Sequence, residues 1–167
     1  MKSKNIESKP RYMDKYSTQT LREGLAEYYA LNSHVTQPET QPSDFAKILR
    51  AHDVEHVIYG LDTGMHDELK LLPLAWWTSE CTLRRYLTMK DSPAVDVMYA
   101  DLIREKGVFW LYRTVLGVLP GVLLEVIPIW FKTRHREKLL PFFDFEPLLE
   151  TSLLDIRRDY GLLRFVK

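Results

Sequence analysis

His52, Asp53, His56 and Glu68 are the residues of this chain whose types and spacing could do chemistry: an HDVEH run, eleven residues, then a carboxylate. Side chains four apart on a helix rise from successive turns of one face. Both imidazoles can therefore reach one cation, and two nearby carboxylates can complete or orient its ligand shell. The donors are those of a divalent-metal centre. Zinc accepts imidazole nitrogen and carboxylate oxygen and leaves a position for water or a substrate oxygen; iron and manganese accept similar donors, so the donors alone do not fix the element. Asp53 lies roughly 100° around the helix from His52, either as a ligand at the margin or as an acceptor that orients His56. Glu55 is expected on the face opposite the imidazoles, and Asp62 as a turn or cap residue. His66 and Asp67 fall at the start of the following helix, where exposure explains them as well as chemistry does. The competing reading of the histidines is ordinary: hydrogen-bonded residues of a core.

Several chemistries do not fit. Asp follows His52 where the HExxH metalloprotease signature has Glu, and the acid before His56 stands in a different register. The chain has neither a glycine-rich phosphate loop nor a supported Ser-His-Asp assembly. A metal-dependent phosphohydrolase of the HD type remains an alternative, with His34 and Asp96 as the outlying ligands it would need. Arg84 and Arg134 could hold an anionic headgroup, since guanidinium binds several oxygens at once.

These residues need elements to position them. With 167 residues the chain is long enough for one domain with its own core. Its 23 basic and 23 acidic residues cancel, which removes any whole-molecule argument for nucleic acid. Cys81 is the single cysteine, so no intrachain disulfide exists and a reducing compartment fits. The cytoplasm, or the cytoplasmic face of a membrane, is the expected location. Residues 1–17 read as a flexible leader without secretory architecture or a clear transit peptide, and 18–167 as the helical domain.

The pattern along that domain is helical. Leu21, Leu25, Tyr28 and Tyr29 make the stripe of a first helix, started near Thr18 or Thr20. Ser43 or Asp44 caps a second, whose inward positions include Phe45, His52, His56 and Tyr59, with Gly60 as its stop. The turn at 62–64 opens a third helix bearing Glu68, which Pro73 should kink or interrupt before it resumes through Cys81. Ser92-Pro93 restarts a helix over 94–105. The segment 107–130 is apolar enough to span lipid but carries Arg113 and Glu125; Pro120-Gly121 divides it into two short helices, buried or partly immersed at a membrane surface. A basic run, 132–138, follows. The tail ends in a short helix started by Thr151 or Ser152 and stopped by Gly161. No repeat or alternating strand pattern is present, so the expected fold is all-α: a single-domain irregular helical bundle with an amphiphilic-ligand cavity or a membrane-facing surface.

HDVEHVIYGLDTGMHDE, 52–68, resembles the COQ4 family of ubiquinone-biosynthesis proteins, whose signature is HDxxH, eleven residues, then Glu. Residues 129–162, with an aromatic-led basic stretch and a closing LxxIRRxYGL element, look like that family's carboxy-terminal segment. Where the family usually has glycine before the final Glu, this chain has Asp67. The resemblance implies a helical, metal-binding protein, commonly with zinc, peripheral on the membrane where isoprenoid quinones are made. In a eukaryote that is the mitochondrial inner membrane. It implies contact with polyprenyl-aromatic intermediates and other quinone-biosynthesis proteins, and His52, Asp53, His56 and Glu68 as the site. It also implies either metal-dependent oxidative decarboxylation at ring carbon 1 of a prenylated aromatic acid or a non-catalytic, lipid-binding scaffold. Exposed apolar helices would also suit a homodimer.

Overall fold

The computed structural model describes residues 9–33, 43–80, 104, 106–133 and 139–166. Arg84, Arg134, His34, Asp96, Cys81 and the expected helix at 94–105 lie outside the described residues, apart from Arg104. Helix α1 (Leu21–Leu31) begins where a capping box satisfies its first donors: Thr20 Oγ1 accepts from the Glu23 amide at 3.2 Å, and Glu23 Oε2 accepts from the Thr20 amide at 2.9 Å. Its buried stripe is Leu21, Leu25 and Tyr28. Helix α2 (Ser43–Tyr59) ends at Gly60, whose φ of +63° suits glycine. The Leu61 amide donates to the His56 carbonyl and the Gly60 amide to the Val57 carbonyl, so the chain reverses immediately after the second histidine.

Helix α3 (Met65–Thr78) returns along α2, and α4 (Val108–Thr133) packs against α3. Helix α5 (Leu153–Asp159) is capped by Ser152, whose Oγ accepts from the Asp155 amide at 3.1 Å, and is closed by Gly161 at φ +58°. The helices share one core that includes Leu21, Val54, Leu74, Leu140 and Ile156. Among the described residues there are no strands; the extended pairings are single bridges, Thr20 with Ser152 and Ser79 with Leu140. The architecture is an all-α, single-domain irregular bundle.

Three expectations are corrected. Pro73 does not interrupt α3, which closes at Thr78; there the Leu140 amide takes the Thr78 carbonyl, and the Leu140 carbonyl takes the Glu80 amide. Pro120 does not divide the apolar segment, because α4 runs unbroken through Pro120 and Pro128. A proline removes one helical donor and frees the carbonyl four residues earlier. Those carbonyls belong to Leu116 and Leu124, which are 64% and 77% exposed, so neither proline sits on the side of α4 that packs into the core. The described part of the expected leader is packed: Arg11–Met13 forms a 3-10 turn, and Tyr12 is buried in the core.

Helix α4 is buried along Val122, Val126 and Ile129, while Phe109, Tyr112, Leu116, Leu124 and Phe131 are exposed. By length and composition, Val108–Phe131 suits contact with a membrane. Glu125 sits within this apolar run because Lys70 of α3, nearly fully buried, places its Nζ 3.0 Å from Glu125 Oε2.

Candidate metal centre

The centre is assembled by the reversal between α2 and α3. Asp67 Oδ2 accepts the Asp62 amide at 2.8 Å and thereby holds the connecting turn, which puts Glu68 opposite the two histidines. His52 Nε2 lies 3.1 Å from Glu68 Oε2, and His56 Nε2 lies 3.2 Å from Glu68 Oε1. The carboxylate is thus bracketed by two imidazoles, one per oxygen. Ligand atoms of His52, His56 and Glu68 all fall within 4.8 Å of one another. The imidazole rings meet edge to face, 4.6 Å between centroids.

The site is closed at the bottom and open at one side. His56 is fully buried, whereas the His52 and Glu68 side chains are 39% and 34% exposed. Tyr28 of α1 stacks on His56 at 5.7 Å. Neither nitrogen of His56 has a hydrogen-bond partner; the approach of Nε2 to Glu68 is close but lacks hydrogen-bond geometry. A buried imidazole left in that state is costly, and a cation on Nε2 would satisfy that nitrogen. Two imidazole nitrogens and a carboxylate make a three-ligand set with room for a further oxygen, so the residues fit a divalent metal. Burial works against charge on Glu68, but His52 and His56 hold its pKa down at about 2. Burial likewise opposes charge on His52, yet Asp53 and Glu68 raise its pKa to about 10. Without a metal, His52 and Glu68 therefore stand as an ion pair, and a cation would bind by displacing the His52 Nε2 proton.

Asp53 is placed behind His52. Its Oδ1 is 3.5 Å from His52 Nδ1, the ring edge away from Glu68, and its Oδ2 accepts from the Tyr29 hydroxyl at 2.8 Å. It thus faces His52, where the sequence suggested His56. Glu55 is not on a solvated opposite face. Three residues from His52 is only about 60° around the helix, and Glu55 is buried. Burial raises its pKa to about 8 against the opposing effects of His52 and a Ser79 hydrogen bond. His66 and Asp67 contact each other, Nδ1 to Oδ1 at 3.2 Å, and His66 Nε2 reaches within 3.6 Å of Glu125. No local pattern marks Tyr28 and Tyr29 of α1 as contributors to the centre; the apolar stripe locates them without their partners.

Comparison of the chain with protein-family profiles, curated proteins and solved structures finds no match. The centre therefore stands on its geometry.

Proposed function

We propose that this protein binds a divalent metal, zinc first, at His52, His56 and Glu68. We further propose that it works on a membrane surface, where it holds the oxygen-bearing head of a polyprenyl-aromatic compound. The observation that carries the metal reading is the convergence of these three ligand atoms around a buried His56 without hydrogen-bond partners. Its extension to quinone biosynthesis rests on the HDVEH and carboxy-terminal resemblance to the COQ4 family. The exposed apolar flank of α4 supports the membrane part. Its Glu125 pairs with Lys70 and approaches His66 on α3, the helix that also carries Glu68, so the flank and the centre are joined through that one helix.

When bound, the metal would supply a Lewis acid for a carboxylate or phenolate oxygen. The chain's own groups do the rest. His56 closes the floor, His52 and Glu68 frame the accessible side, and Asp53 sits where it can hold the Nδ1 proton of His52. In the catalytic form of this reading, the substrate is a prenylated aromatic acid decarboxylated by oxidation, with molecular oxygen or another external oxidant taking the electrons. The second reading, a non-catalytic lipid-binding scaffold for other quinone-biosynthesis proteins, draws on the same exposed flank and predicts retention of the lipid without turnover.

The test is the metal content of protein purified without added metal, comparing the intact chain with His56→Ala and Glu68→Ala, each checked for helicity. Near-stoichiometric metal that is lost from folded variants supports the site and leads to assays with prenylated ring acids in vesicles. No metal after reconstitution with zinc, iron and manganese overturns it.

A further inference from the structure

We propose that Tyr29 is a positioning residue of the metal centre, acting through Asp53 to fix which nitrogen His52 offers to the metal. This rests on the metal-binding reading. Asp53 is almost fully buried, with 2% of its side chain exposed, and a carboxylate removed from water needs donors for its oxygens. The Tyr29 hydroxyl donates to Oδ2 at 2.8 Å, which leaves Oδ1 turned to His52 Nδ1 at 3.5 Å. With the proton on Nδ1 kept beside that oxygen, the nitrogen left to exchange its proton for a metal is Nε2, the one that faces Glu68. The order along the relay is Tyr29 hydroxyl, Asp53, His52, metal.

The two tyrosines of α1 divide the work. Tyr28 stacks on His56, and Tyr29 reaches His52 through the carboxylate, so consecutive residues of one helix address the two imidazoles separately. Without its phenol donor, the buried carboxylate would lose the contact that sets its rotation, and Oδ1 would no longer be committed to His52. The ring of Tyr29 is not needed for this. Tyr29→Phe removes only the donor.

The experiment measures zinc and cobalt(II) affinity of the full chain by competition with a chromophoric chelator, for the intact protein, Tyr29→Phe, Asp53→Asn and the double variant. Outer partners of metal-bound histidines typically contribute about 10- to 100-fold in affinity. Tyr29→Phe should weaken binding about 10-fold and alter the visible spectrum of the cobalt form. It should add little in the Asp53→Asn background, because both changes break one relay. Equal affinity for Tyr29→Phe and the intact chain, or fully additive losses, overturns the role of Tyr29 and leaves the metal site standing. An intact chain that binds neither ion overturns the metal reading and this inference together. Should Tyr29→Phe fail to fold, long-range nitrogen NMR of the zinc-loaded intact protein decides: the Tyr29 hydroxyl proton shifts on zinc binding with His52 Nδ1 protonated, and an unshifted hydroxyl or zinc on Nδ1 overturns the proposal.

Discussion

Arg157 offers the sharpest test of how the fold holds the histidine helix in place. Its side chain is fully buried, and its Nε donates to the Ile58 carbonyl at 2.8 Å. Its Nη2 donates to the carbonyls of Tyr12 at 2.6 Å and Val57 at 3.0 Å, and its Nη1 to those of Asp14 and Lys15. Val57 and Ile58 belong to the last turn of α2, where carbonyls lack the amide four residues on and the helix end is negative. Burial lowers the pKa of Arg157 to about 10 with Asp14 opposing, so the group is still charged at neutral pH. Charge-assisted hydrogen bonds contribute roughly 1.5–3 kcal/mol each, but several kcal/mol are offset by taking the guanidinium out of water. The net effect of breaking such a buried charged network is about 3–5 kcal/mol. Arg157→Met and Arg157→Lys should both approach that loss, because an ammonium cannot reproduce a planar fork that serves two separate segments at once. At this chain length the change corresponds to a Tm lower by roughly 6–20 °C. Urea unfolding followed by far-UV circular dichroism would measure it. A loss below about 1 kcal/mol for Arg157→Lys would refute the argument that the fork, rather than the charge, ties α2 to the amino-terminal turn.

Three further outcomes are expected. Gly24→Ala places a Cβ 2.7 Å from Val57 Cγ1 and 3.1 Å from Leu153 Cδ1, so α1 must shift from α2; thermal unfolding should show a loss of about 1–2 kcal/mol despite alanine's better helix propensity, and a gain would refute the close contact. Glu27 accepts from the amides of Arg11 and Tyr12 and from Gln19, which outweighs burial and lowers its pKa below the usual 4.5. Its contribution is present above about pH 4.5 and is lost as pH falls through the lowered folded value, so Glu27→Gln should flatten the acid limb of stability against pH, as measured by urea titrations between pH 2 and 6 (roughly the window set by ordinary carboxylates). Glu125→Leu strands the buried ammonium of Lys70 and should cost about 2 kcal/mol, reduced from a fully buried pair because Glu125 is partly exposed. Adding Lys70→Met should restore most of it, and a strictly additive double variant in chemical denaturation would count against the pair.

How much of this was legible in the sequence depends on the range of the interaction. The starts at Thr20 and Ser152 and the stops at Gly60 and Gly161 follow from a side chain and backbone groups within four residues, and they were readable. The pairing of His52 and His56 with Glu68 was readable too, since helix periodicity and one short turn bring them together. The prolines of α4 do not break it because the residues whose carbonyls they free, Leu116 and Leu124, lie on its exposed side and not against the core. Glu125 looked like an obstacle inside an apolar run, and its partner Lys70 lies 55 residues earlier, beyond any local pattern (125 minus 70). Tyr29 was equally hidden: its place in an amphipathic stripe was visible, but the hydroxyl's partner Asp53 depends on how α1 meets α2.

The division of the centre among helices has an energetic consequence. The histidines come from α2, the glutamate from α3, and the side chains that steady the imidazoles from α1. An unfolded chain can still offer the two histidines at four-residue spacing, but it cannot hold Glu68 across from them or bury His56 beneath Tyr28. A metal that recognises the whole arrangement therefore binds the folded state preferentially, and its binding free energy adds to folding. At a free metal concentration 100 times the Kd this amounts to about 2.7 kcal/mol, comparable to the pairing of Lys70 with Glu125 worked out above. The same reasoning explains why Arg157 matters to the centre without touching it. It grips the carbonyls of Val57 and Ile58, the two residues directly after His56, so loosening that grip frees the end of α2 on which the buried ligand sits.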